Sequence, residues 1–130
     1  MPETGILCLA AVAVLLVNHT AADCFLQMPY QFCNKGNYGH PSGFLHAGIH
    51  VVLTPFVYLV LVPASLRLVL GIALGEFANH YHMDWAKEQV GRRLHARSQA
   101  ACCWHALGID QLLHGLNYIG IVAVLMWAMR

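Results

Sequence analysis

Charge is what this chain lacks. Only 10% of its 130 residues are charged, 58% are hydrophobic, and the mean hydropathy is +0.56. A soluble domain carries about 25% charged residues, so this composition suits lipid rather than water as a solvent. A formal net charge of +1 leaves no basic surface for nucleic acid. The cysteines Cys8, Cys24, Cys33, Cys102 and Cys103 form no CxxC pair, which points to free thiols rather than a disulfide framework. No GxSxG is present to support a covalent nucleophile. The chain has neither an internal repeat nor a low-complexity tail.

The abundant apolar residues fall into four runs, each read as a helix crossing a hydrocarbon core roughly 30 Å thick. The expected helices cover about 5–27, 44–62, 64–85 and 100–129 of a single domain, 1–130. A cleaved leader would begin with positive charge; Met1-Pro2-Glu3-Thr4 has none, so the first run is read as a span. Pro29 stops it. Residues 28–43, with several Asn, Gly and Pro and Lys35 as their only charge, read as a loop. Pro55 should kink the second run. Pro63 leaves so short a link that runs two and three should form an antiparallel hairpin. Residues 85–99, with Lys87, Glu88, Arg92, Arg93 and Arg97, read as a polar loop. The expected fold class is therefore all-α, a polytopic membrane protein with four transmembrane helices in a compact bundle.

Basic residues orient it. With 85–99 cytoplasmic, 28–43 is cytoplasmic too and both termini lie outside, leaving only Arg67 and Arg130 of the seven Lys and Arg outside. Trp85 and Trp104 then flank the inner interface and Trp127 the outer one.

Each run carries a short polar column. His19, Asp23 and Gln27 recur every four residues, as do His46 and His50, Glu76, His80 and Asp84, and Asp110 and His114, so each set shares a helix face. In the topology above, all of them fall in the cytoplasmic half at overlapping depths. Four of the six acidic residues sit in these columns. A carboxylate in a span costs roughly 2.5–3.5 kcal/mol, so four cost on the order of 10 kcal/mol unless compensated. Within the columns no Lys or Arg offsets them, and Lys87 is the nearest. Divalent cations would, with neutral imidazoles completing the coordination; protonation of the carboxylates is the other remedy and points to proton-linked transport.

The donors exceed what one tetrahedral ion takes. One or two divalent ions are therefore expected, with zinc, manganese and iron all compatible with imidazole and carboxylate ligands. His19, Asp23, His50, His80, Asp84, Asp110 and His114 are the candidate ligands; Gln27, His46 and Gln111 would orient them or face substrate. Glu76 is the candidate general base and Lys87 a candidate group for holding an anion at the catalytic site. His40, His82, His95 and His105 stand outside the columns. Gly48, Gly71, Gly75, Gly108 and Gly115 read as close-packing positions.

His19-x-x-x-Asp23-x-x-x-Gln27, His46-x-x-x-His50, His80-x-x-x-Asp84-x-x-Lys87 and Asp110-Gln111-x-x-His114 together resemble the family called domain of unknown function 3307, small membrane proteins of bacteria and phages. The likeness covers most of the chain, and Asp110-Gln111-x-x-His114 is its most specific part. Cys24-Phe25 stands where an aromatic would directly follow the acid. The resemblance implies a compact four-helix membrane protein, here of a bacterial inner membrane, and no activity. In donor types alone the columns are similar to membrane-bound metal-dependent hydrolases. The expected function is a metal-dependent hydrolase of a lipid-linked or phosphate-bearing substrate, with the bilayer as partner and self-association open. A metal-ion or proton transporter uses the same residues, and in a structural protein the columns are interhelical glue.

Overall fold

A computed structural model describes residues 2–55, 57, 64–95 and 100–128, apart from the side chains of 2, 95 and 100–103. The rest of the second apolar run with its Pro63 link, Arg97 and Arg130 lie outside the described residues. The described residues are mostly helical, with no strand among them. In chain order they form α1 (Pro2–Ala21), a π-helical turn (Ala22–Leu26), α2 (Pro29–Asn34), α3 (Pro41–Leu53), α4 (Leu66–His95) and α5 (Ala100–Ala128).

Three boundaries differ from expectation. The segment 28–43 contains α2, which Pro29 opens by supplying a fixed φ at a position whose N–H has no helical partner. The next helix begins at Pro41, with the His40 ring nitrogen Nδ1 accepting from Ser42 N at 3.2 Å, and it ends at Leu53, before Thr54 and Pro55. The third run does not stop at 85. Ala86, Lys87, Glu88, Gln89, Arg92, Arg93 and Leu94 are good helix formers, so polarity there extends α4 to His95 instead of breaking it.

Side-chain ladders give the helix directions. Along α3 and α4, His46 meets Asp84, His50 meets His80 and Thr54 meets Glu76, so the two run antiparallel. Along α4 and α5, Lys87 meets Asp110, His80 meets His114 and Asn79 meets Asn117, again antiparallel. His19 of α1 packs on His114 and Tyr118 of α5. Gly43 lies against α4: a Cβ there would be 2.8 Å from Cε2 of Tyr81, whose ring stacks on Phe44 at 4.8 Å.

Each long helix buries one stripe that is apolar at one end and polar at the other. On α1 it reads Ala11, Leu15, His19; on α5, Leu125, Val122, Tyr118, His114, Asp110. Ala11, Leu15, Val57, Val69, Tyr118, Ile121, Val122 and Leu125 form the apolar core cluster. Outside, the pattern inverts: Ile6, Leu9, Phe25, Leu74, Trp104 and Trp127 are exposed. Two helices are long and apolar enough to cross a membrane, over Glu3–Leu26 and Trp104–Ala128.

Candidate metal centre

Asp23 is the hub of the polar end. The π turn that carries it is a local widening of α1, of the sort that often marks functional positions. His19, one turn earlier, places Nε2 3.3 Å from Asp23 Oδ2. From α3, His50 Nε2 lies 3.1 Å and His46 Nε2 3.2 Å from Asp23 Oδ1. His80 of α4 completes a group of four whose donor atoms all lie within 4.8 Å of one another: Asp23, His46, His50 and His80. Zinc bonds of about 2.0–2.1 Å in a tetrahedron put neighbouring donors about 3.3 Å apart. The separations of His50 Nε2 and His46 Nε2 from Asp23 Oδ1, 3.1 and 3.2 Å, are close to that edge.

Two further groups meet the same distance test, His19 with His80 and His114, and Asp84 with Asp110 and His114. The carboxylate-rich group is already served by cations. Lys35 Nζ lies 3.2 Å from Asp84 Oδ2, and Lys87 Nζ lies 3.1 Å from Asp110 Oδ2 and 3.7 Å from Asp84 Oδ1. Burial works against the Lys87 ammonium, but the Asp84 and Asp110 carboxylates outweigh it and hold its pKa above the ordinary lysine value. The expectation that no basic residue offsets the carboxylates apart from a nearby Lys87 is thus corrected: Lys35, read as a loop charge, is buried at 3% exposure inside an ion pair.

Buried nitrogens without a hydrogen-bond partner collect here. His19 Nε2, His80 Nε2 and both ring nitrogens of His114 are such atoms, as is Asp110 Oδ1. Buried polar atoms are nearly always satisfied, and five closely packed imidazoles offer one another few complementary donors. The rings of His50 and His80 are 3.8 Å apart and those of His80 and His114 4.4 Å. Lone pairs converging at that density fit a cation, so the donor set and the orphaned nitrogens agree.

The remaining expected residues sit as follows. Gln27 follows the π turn and lies 3.4 Å from both His46 ring nitrogens, while His46 itself joins the donor group instead of only orienting it. Gln111 donates to Asp110 Oδ2 at 3.3 Å. Glu76 is absent from all three donor groups: its Oε1 accepts from Thr54 Oγ1 at 2.7 Å, and its Oε2 is buried without a partner. Three participants were not among the expected site residues. Lys35 arrives from the turn after α2, Thr54 from the end of α3, and Tyr118, whose hydroxyl lies 3.1 Å from His19 Nδ1, continues the α5 column one turn past His114. Thr54 and Tyr118, each four residues past a column histidine, were findable by extending those columns. His40 and His82 stay outside, capping α3 and meeting the Tyr38 hydroxyl at 3.2 Å.

With the helices and their donor columns in place, the comparison with known families is direct. Residues 11–130 match the family described as protein of unknown function, DUF3307. The chain belongs to this family. The match takes in every helix that contributes to the centre, from the second half of α1 through α5. No curated protein and no solved structure matches the chain.

Proposed function

We propose that this DUF3307 protein is a four-helix membrane bundle that holds one divalent ion through Asp23, His46, His50 and His80, and hydrolyses a lipid-linked phosphate ester. The observation that carries the proposal is the meeting of those four donors from three helices, beside orphaned imidazole nitrogens. Two lysines set against the four carboxylates of Asp23, Glu76, Asp84 and Asp110 leave two negative charges, which one divalent ion balances. The apolar exterior and the two long apolar helices support placement in a bilayer. The second run and α4 supply the other two crossings. Both termini then lie outside, with 28–43 and the end of α4 cytoplasmic, as the basic residues suggest.

A divalent ion bound there supplies Lewis acidity, polarising a phosphoryl oxygen and acidifying a water. Hydrolysis adds the water oxygen to phosphorus and breaks the ester P–O bond; one water proton stays on the phosphate and the other leaves on the lipid alcohol. Glu76, one turn from His80, has Oε2 free to accept the water proton. Asp110 and Gln111 fix Lys87 at the rim.

Elemental analysis of the detergent-purified protein tests this. One equivalent of zinc, manganese or iron is expected in the wild type, lost in His50→Ala and retained in His82→Ala. A folded wild type that takes up no metal on reconstitution sinks the hydrolase. The closely packed imidazoles from His46 through His80 to His114 would then favour the transport reading, tested by proton flux in proteoliposomes.

A further inference from the structure

The unpartnered nitrogens of the polar centre are not spread evenly over its imidazoles. His46 and His50 both meet Asp23 through Nε2, and His46 also lies 3.0 Å from Asp84 Oδ2. His19, His80 and His114 each keep at least one ring nitrogen without a partner, although they are only 3%, 2% and 1% exposed. The same three residues form a donor group of their own, with ligand atoms within 4.8 Å of one another. Their ring centroids lie 4.4 Å apart for His80 and His114, 4.5 Å for His19 and His114, and 5.7 Å for His19 and His80. Unsatisfied burial and mutual convergence are separate observations, and both select this trio. Two lone pairs cannot hydrogen-bond each other, whereas a cation takes several imidazoles at once.

Asp23 joins the trio to the four-donor position. Its Oδ1 faces His50 and His46, while its Oδ2 lies 3.3 Å from His19 Nε2. That last pair is close but not aligned as a hydrogen bond, which suits two ligands of one ion better than a donor and its acceptor. Across the ring, the Tyr118 hydroxyl engages His19 Nδ1 at 3.1 Å and leaves Nε2 for an ion. The carboxylate thus turns one oxygen to each group. Asp84, Asp110 and His114 make a poorer second position, because Lys35 and Lys87 already meet those carboxylates.

We propose that His19, His80 and His114, with Oδ2 of Asp23, form a second divalent-ion position, filled only together with a phosphate dianion. The inference deepens the hydrolase reading and rests on its first ion. Coordination calls for the anion, because His80 stands in both groups. Once His80 serves the second ion, the first keeps Asp23, His46 and His50 and has a place open for a phosphate oxygen. Charge calls for it too. One divalent ion already balances the two negative charges that the lysines leave on the four carboxylates. A second ion alone would bury two uncompensated positive charges, and a dianion cancels them. Both lysines being paired, it is this ion that meets the charge of the substrate. A phosphate monoester carries close to two negative charges at neutral pH and a diester only one. The substrate class is therefore a terminal phosphate on a lipid, not a phosphate bridging two alcohols.

The test uses the full chain in detergent, loaded with one equivalent of manganese and then titrated with more, in inorganic phosphate or in chloride at equal ionic strength. Bound metal is counted after gel filtration, and electron paramagnetic resonance reports whether two ions are adjacent. A second equivalent should bind about tenfold more tightly in phosphate than in chloride and bring the signal of an exchange-coupled pair. His19→Ala should keep the first ion and lose the second. Tyr118→Phe should weaken the second by about tenfold. The retained first ion and unchanged helicity show that both variants are folded. A second ion that binds equally in chloride, gives no coupling or survives His19→Ala overturns the proposal, as does equal strengthening by dimethyl phosphate. One tight ion and never a second overturns the pair and leaves a single-ion hydrolase standing. A coupled pair in a protein that turns over no phosphate monoester supports the pair and removes the hydrolase.

Discussion

Lys35 changes the electrostatics of this molecule more than any other single residue. Its ammonium is buried at 3% exposure, 3.2 Å from Asp84, whose carboxylate also faces His46 Nε2 at 3.0 Å. Removing one partner of a buried pair leaves the other charge desolvated, which costs about 3–5 kcal/mol, whereas removing both is often close to neutral. Lys35→Met should therefore lower stability in detergent by about 3 kcal/mol, since Lys87 still reaches Asp84 at 3.7 Å. Lys35→Met combined with Asp84→Asn should recover most of that loss and still bind metal through Asp23, His46, His50 and His80. A double-mutant cycle read by thermal unfolding decides it. Additive losses would mean that Lys35 and Asp84 do not act as a pair.

At the scale of elements, α3 against α4 sets the geometry of the centre, because His46 and His50 reach Asp84 and His80 only if those helices touch. Gly43 is one point where they touch tightly. In Gly43→Ala the new methyl meets Tyr81, a ring held by its stack on Phe44 and by its hydroxyl oxygen, which accepts from Gly39 N, so the helices must separate. Such overpacking costs about 1–3 kcal/mol. Gly48→Ala, five residues on, adds a methyl in open space and should gain about 1 kcal/mol in helix propensity. Denaturation midpoints should rank Gly48→Ala above wild type and wild type above Gly43→Ala; movement in the same direction would contradict this packing. The polar columns were legible in the sequence because side chains four apart on a helix face must share a neighbour. His19 with Asp23, His46 with His50, and His80 with Asp84 show that rule directly. Lys35 was not legible, since its approach depends on the path of α2 and the turn after it, which no periodicity encodes. Glu76 keeps the column spacing, yet lies one turn beyond the donors and faces Thr54. The end of α4 was hidden because a charged segment between apolar runs reads equally as a loop or as a solvated helix.

At the scale of the whole molecule, the question is how often the chain crosses the bilayer. α1 and α5 are each long and apolar enough. α3 is not: its 13 residues rise about 20 Å, short of a core roughly 30 Å thick. The proposed four spans require the chain from Thr54 to Pro63 to complete that crossing, and this gives a direct test. Cys33, exposed on α2, and Ser65, exposed just before α4, bracket the second run and nothing else that can cross. One variant keeps Cys33 alone; another carries Ser65→Cys with every native cysteine replaced by serine. Each is treated with a membrane-impermeant maleimide before and after permeabilising the cells. Four spans with both termini outside predict that Ser65→Cys reacts at once and Cys33 only after permeabilisation. The mirror result keeps four spans and reverses the orientation, moving the polar centre to the outer half. Labelling of both from one side would mean that the second run re-enters without crossing, and the four-span bundle would fall while the donor cluster, which depends only on packing, would stand.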